Sequence, residues 1–180
     1  MAALLREVLP KVYPEWVENV HWIPIYHNGK SDLEASIRRK LSGWREPGVR
    51  FVIMRDNDGG DCRERKAHLR SLTNDRSLDE VLIRIVCQEL EGWFLGDLTA
   101  VKAAFTRALV DPSRIPAKYR DPDSIGNAAE ELAHLTGTKA KVSRAAAIAE
   151  HMNPPENRSS SFQVFLAGLD RLTQTESETS

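Results

Sequence analysis

Two apolar runs constrain this chain more than anything else in it: RFVIM at 50–54 and VLIRIVC at 81–87. Runs this short, rich in β-branched residues and flanked by turn residues, read as strands. RFVIM does not alternate apolar with polar, as a strand with one wet face would. It therefore predicts a strand covered on both faces, the habit of parallel sheets, and VLIRIVC reads as a second strand of the buried type. Residues 62–73 between them have a basic, helical pattern. Alternating strand and helix in this order predicts an α/β fold with a small, mainly parallel sheet.

The flanking segments extend that pattern. AALLREVLPKVY spaces its apolar residues helically, with Pro14 just past the end. VHWIPIY, residues 20–26, reads as a short strand that Pro24 confines to an edge or a bulge. Ser31, with Glu34 three residues on, forms a capping box for a helix in which Leu33, Ile37 and Leu41 share a face. From Glu89 onward the pattern is helical: ELEGWFLGDLTAVKAAFTRAL, NAAEELAHL, VSRAAAIAEHM and SSFQVFLAGLDRL, with Ser159–Ser161 capping the last. Proline-rich connectors at 112–122 and 154–155 separate these segments. The expected organisation is one domain over 1–180, with an α/β part at 1–88, a helical part at 89–172 and a frayed tail at 173–180.

Composition excludes several function classes. With 41% hydrophobic and 28% charged residues in 180, the chain can bury a core and is neither disordered nor membrane-embedded. No apolar run approaches the roughly 20 residues that cross a bilayer. MAALLREVLP is too short and too soon interrupted to be a secretory signal. Cys62 and Cys87 are the only cysteines and lack zinc spacing, which points to a reduced, cytoplasmic setting. A formal net charge of -1 provides no global basic field, so any nucleic-acid contact must come from local patches.

Acids gather where both strands end. Asp56, Asp58 and Asp61 follow the first, and Glu89 and Glu91 follow the second. Ligands of open parallel sheets bind outside the carboxyl ends of the strands. Residues two apart in extended chain project the same way, so Asp56 and Asp58 can present carboxylates to one point, and Glu89 and Glu91 likewise. If a helix begins at Glu89 instead, Glu89, Trp93 and Asp97 share its face. Neighbouring strands lie about 4.8 Å apart, close enough for the two clusters to share one hard cation or a pair. Oxygen ligands without His or Cys favour Mg²⁺ or Mn²⁺ over zinc. The competing reading is an ordinary acidic turn, in which aspartate bonds its own backbone. An EF-hand fits neither the spacing nor the missing glutamate at the loop's twelfth position.

FVIMRDNDGGDCRERK, VLIRIVCQELEGWFLGD, KYRDPD, KVSRAAAIAEHM and NRSSSFQVFLAGL together resemble the domain of unknown function 4276 family of the Toprim-like clan, over nearly the whole chain. The resemblance implies a Rossmann-like parallel sheet flanked by helices, and Mg²⁺ (or Mn²⁺) held by the D-x-D of Asp56 and Asp58. It implies phosphodiester chemistry, and with the acids at the strand ends the expectation is a metal-dependent nuclease in which Asp56, Asp58 and Glu89 are catalytic and Asp61, Glu89 and Glu91 are further or water-mediated ligands. It also implies a phage-defence or DNA-processing role beside an AAA/ABC-type ATPase, with nucleic acid as substrate. Family members begin with a strand resembling IVFLVEEPSA, whose glutamate serves as general acid or base. The sequence as given begins at the helix that follows. The expectation is that Met1 is an internal or misassigned start. The alternative is a catalytically impaired, non-catalytic binding module, since Glu7 lies within a helix and cannot replace that glutamate.

Phosphate contacts are expected of Lys66, Lys141, Arg144 and Arg158, chosen from a wider set that includes Arg63, Arg65, Lys118, Arg120 and Lys139. For each, a solvated helix face is the plainer reading. The five histidines show no metal spacing. Trp93, Phe94 and Leu95 read as packing residues, with base stacking by Trp93 as the other reading. Assembly into an oligomer is compatible with all of this.

Overall fold

Both apolar runs form strands in a computed structural model that describes residues 1–57, 59–73, 76–86 and 88–174. Strand β1 (Phe51–Asp56) and strand β2 (Val81–Val86) pair in parallel, from Phe51 beside Val81 to Asp56 beside Val86. The helix between them, α3 (Cys62–Ser71), starts where the Asp61 carboxylate accepts the amide N–H groups of Arg63 and Glu64 at 2.7 and 3.0 Å. These donors have no partner within the helix, so the cap fixes its first turn. The Arg70 guanidinium donates to the Val81 carbonyl at 2.9 Å and ties the end of α3 to the start of β2.

The chain divides into two compact units, Met1–Pro24 with Cys87–Gln163, and Ile25–Val86 with Val164–Ser180. The unit that holds the sheet also contains the described helix α2 (Lys30–Gly43). Ile37 and Leu41 of α2 bury against Ile53, Leu69, Leu72, Val81, Ile83 and Ile85, with Leu33 and Phe51 at the margin. Each such side chain contributes about 1.5–3 kcal/mol of transfer free energy. Exposed ion pairs contribute about 0–1 kcal/mol each, so the apolar cluster holds this unit together. Arg76 closes its edge by donating to the carbonyls of Leu41 and Trp44 at the end of α2, with its guanidinium 5.1 Å from the Phe51 ring centroid. On the other side, a Cβ at Gly168 would lie 2.8 Å from Leu82 Cδ1, so the last helix lies close on β2 through a residue with no side chain.

In the other unit the described helices are α1 (Ala2–Val12), α4 (Glu91–Leu95), α5 (Leu98–Ala104), α6 (Ala128–Thr136) and α7 (Lys141–His151); α8 (Ser160–Gln174) begins there. Helices α1 and α5 pack on α7, and α4 packs on α6. Lys11 ends α7 by donating to the carbonyls of Ala149, Glu150 and Met152. Burial pulls its ammonium pKa down.

Three expectations need correction. VHWIPIY forms no strand: only an isolated bridge joins Glu18 and Trp22, and Val20 and Ile23 are exposed. Pro24 cannot donate to a ladder, and Asn19 turns the chain at φ 65°. Helix α2 starts at Lys30 with Gly29 as its cap residue, not Ser31, and the Asp32 carboxylate accepts the Asn28 N–H at 2.9 Å instead. β1 is not covered on both faces, since Val52 retains 41% of its surface. The parallel pairing, the helix between the strands and the helical run from α4 onward are as expected. Residues 175–180, most of the expected tail, lie outside the described residues.

Candidate functional site

The carboxyl end of β1 is where the chain turns sharply. Asn57 N–H donates to the Val86 carbonyl at 3.1 Å, which carries the ladder one residue past Asp56. The Asn57 side-chain amide then donates to the Gly60 carbonyl at 2.7 Å, and Gly60 N–H returns to the Asn57 carbonyl at 3.1 Å. Gly59 passes through φ 72°, a conformation glycine adopts without penalty. Asp61 leaves the turn as the cap of α3, and its carboxyl is held below the ordinary range by the Glu64 and Arg63 amides. Part of the acidic-turn reading is therefore realised by Asn57 and Asp61. Asp58 lies outside the described residues.

Asn57 itself is 5% exposed, and its side-chain oxygen is buried with no donor among the described residues. An unsatisfied buried acceptor costs about 1–3 kcal/mol. That oxygen belongs to the residue after Asp56, at the sheet edge where ligands of parallel sheets bind.

Glu89 and Glu91 belong to the other unit, and each has a partner there. β2 ends at Val86, and the bonds from Gly92 N–H to the Glu89 carbonyl and from Trp93 N–H to the Leu90 carbonyl start a helical turn into α4. The extended alignment of the two glutamates therefore does not occur. Glu89 accepts the Ala129 N–H at 2.8 Å, at the start of α6, where Asn127 provides no side-chain cap. Glu91, 13% exposed in its side chain, lies 3.7 Å from the Arg144 guanidinium and 3.9 Å from Lys141 Nζ. Among the described residues no group of three or more His, Cys, Asp or Glu side chains is placed to hold a metal.

Of the four expected phosphate contacts, Lys66 is exposed on α3. Arg144 is 2% exposed and donates to the Thr138 carbonyl at 2.7 Å. Burial pulls its pKa down and Glu91 opposes the shift. Arg158 donates to the Gly96 carbonyl at 3.2 Å, and Lys141 has Glu91 as its neighbour. Trp93 is fully buried against Phe162, with its indole N–H on Ser161 Oγ at 3.1 Å, so it has no face for a base to stack on.

The segments ELEGWFLGD, PDS and NRSSSF bind one another. Asn157 donates to the Trp93 carbonyl at 2.8 Å and accepts the Ser159 N–H at 2.9 Å. Arg158 N–H donates to the Gly96 carbonyl at 3.1 Å. Asp123 accepts the Ser159 hydroxyl at 2.6 Å and the Ser161 N–H at 2.8 Å, while Ser159 Oγ accepts the Phe162 N–H and caps α8. Asp97 caps α5 through the Ala100 N–H and also accepts the Asn153 N–H at 2.8 Å. Sequence reading missed Asp97, Asp123 and Asn157 as organisers. Only Asp97, set directly before the apolar LTAV stretch, carries a local capping signal.

The fold and this site define an α/β protein with a parallel strand pair and an oxygen-lined turn at its carboxyl edge. The model of the family described as domain of unknown function (DUF4276) matches residues 1–170, and the chain belongs to that family. No curated protein and no solved structure matches it significantly. No helix among the described residues is long and apolar enough to cross a membrane.

Proposed function

We propose that the protein is a metal-dependent phosphodiester-processing protein of Toprim type, a nuclease that acts beside an ATPase partner in phage defence or DNA processing. The observation that carries the reading is the buried Asn57 side-chain oxygen, an acceptor without a donor among the described residues, directly after Asp56 at the carboxyl end of β1. Oxygen donors of this kind suit a hard divalent cation. Mg²⁺ commonly takes one or two carboxylates and keeps waters and substrate phosphate oxygens for its other positions. A small protein donor set therefore fits it. Asp56 and Asp58, the D-x-D that the family resemblance implies, would hold the ion, with Asn57 between them shaping the turn. A divalent ion held there would supply positive charge against a phosphate and acidify a bound water. Asp61 contributes by fixing the exit of the turn, and the Asn57–Gly60 bonds hold its width.

The test is calorimetric titration with Mn²⁺. Wild type should bind, and Asp56→Ala with Asp58→Ala should not. Equal affinity in both, or binding in neither, refutes the metal site. If binding depends on these residues, nicking of supercoiled DNA and cleavage of RNA decide between the substrates. One observation favours a second reading, a non-catalytic binding module: Glu89 and Glu91 are already engaged by Ala129 and Arg144. Metal binding without cleavage of either substrate would support it.

A further inference from the structure

The same end of β1 borders an open cleft of about 330 Å³, lined by Lys30, Glu34, Arg55, Glu64, Arg65 and His68. Three elements supply it: Lys30 and Glu34 from the first turns of α2, Arg55 from the penultimate position of β1, and Glu64, Arg65 and His68 from α3. Three permanent cations face two carboxylates, on a chain whose formal net charge is -1. One carboxylate is already engaged: Glu34 lies 3.5 Å from the Arg55 guanidinium and 3.2 Å from His68 Nε2. Lys30 and Arg65 have no carboxylate partner among the described residues. The first turn of α2 carries one acid, Asp32, whose carboxylate is engaged by the Asn28 N–H.

Arg65 is held in place. Its Nε is buried with no acceptor among the described residues, and its guanidinium lies against Gly60, where a Cβ would come within 2.3 Å of it. Packed beside that turn, the guanidinium lines the cleft and can donate to an oxyanion there from its two terminal nitrogens. Its planar fork matches a phosphate better than an ammonium does. Arg55, with 10% side-chain exposure, forms one wall of the cleft together with its partner Glu34.

We propose that this cleft is a phosphate-binding site, with Arg65 and Lys30, its two cations without a carboxylate partner among the described residues, as the principal contacts. The phosphate comes from the backbone of a nucleic-acid strand or from a small phosphate ligand. The inference deepens the phosphodiester reading, because the cleft adjoins the turn at Asp56, yet it requires no metal. It can therefore fail while the metal site stands, and the reverse.

The test uses the full chain in EDTA. Fluorescence anisotropy follows labelled 12-nucleotide DNA and RNA single strands, and calorimetry follows inorganic phosphate. Arg65→Gln with Lys30→Gln should weaken whichever probe the wild type binds by tenfold or more. For a strand, the salt slope should fall by about 0.7 for each phosphate contact removed. Arg45→Gln, which removes a single charge just past the far end of α2, should stay within twofold, and Arg65→Gln alone, the matched single change, should not. Thermal midpoints and far-UV dichroism establish that each variant is folded. Strand binding that depends on the two residues assigns a backbone phosphate; dependence for inorganic phosphate alone assigns a small ligand. A folded double variant indistinguishable from wild type, or a wild type that binds neither probe, overturns the proposal. Mn²⁺ titration of the double variant should match wild type, which separates this site from the metal.

Discussion

Gly96→Ala tests whether the interlock between ELEGWFLGD and NRSSSF is as tight as its geometry. Gly96 has φ -66° and ψ -22°, an ordinary helical conformation that alanine adopts freely. Backbone entropy alone would then make the substitution stabilising by about 0.4–1 kcal/mol. Sterics point the other way. A Cβ there would lie 2.2 Å from Asn157 Oδ1 and 2.9 Å from the Ser159 nitrogen, which is backbone. Relief requires moving the Asn157 side chain, which holds the Trp93 carbonyl and the Ser159 N–H. Those two bonds are worth about 1 kcal/mol each, and residual overpacking adds about 1–3 kcal/mol. The net expectation is a loss of about 2–4 kcal/mol, or roughly 4–16 °C in the midpoint for a chain of this size.

Urea unfolding at 25 °C, followed by far-UV dichroism and by tryptophan fluorescence, measures this loss, and coincident transitions license the free-energy comparison. Gly126→Ala is the matched control in the same unit: nothing lies within 4 Å of its added Cβ, so it should be neutral or slightly stabilising. In an Asn157→Ala background, Gly96→Ala should cost at least about 1 kcal/mol less, because its main obstacle is gone. A Gly96→Ala protein as stable as wild type would refute the account of the interlock.

Two further outcomes follow from buried charge. Burial pushes the Glu131 carboxyl up, but hydrogen bonds from Lys118 at 2.7 Å and from Tyr119 outweigh it and hold the group below the ordinary range. A carboxyl lowered on folding stabilises above its unfolded pKa of about 4.3, and that contribution is lost as pH falls through the folded value. The stability gap between wild type and Glu131→Gln should therefore shrink between pH 6 and pH 3 in urea titrations. A pH-independent gap would disprove the linkage. Arg144→Met strips the 13%-exposed Glu91 of its buried partner and should cost about 2–4 kcal/mol, whereas Arg144→Met with Glu91→Leu should recover at least half of it. Additive losses in the same denaturation assay would show that the two groups do not act as a pair.

The sheet was legible because its signal is local: RFVIM and VLIRIVC are apolar over a strand's length, with a helical stretch between them. VHWIPIY carries the same kind of letters but no strand, because pairing needs donors and a neighbour, and Pro24 and the turn at Asn19 supply neither. Ser31 failed as a cap for a related reason: Gly29 took the position and Asp32 bound the preceding turn. The acids at 89 and 91 could be located but not interpreted, since their partners, the Ala129 amide and Arg144, lie far along the chain where no periodicity points to them.

That difference bears on where chemistry should be sought. Most of the motif text in the helical part is accounted for by structure. Gly96, Asp97, Asp123, Asn157, Arg158 and Ser159 hold helix ends and one another. A polar residue whose hydrogen bonds are all made inside the fold needs no ligand to explain it. The turn after β1 is different: among the described residues, Asn57 keeps a buried oxygen without a donor, and a few residues on, Arg65 keeps a buried N–H without an acceptor. One group lacks a donor and the other an acceptor, and they flank the same acidic turn. On the reading proposed above, a phosphate with a hard cation beside it would place ligands on both sides of that turn.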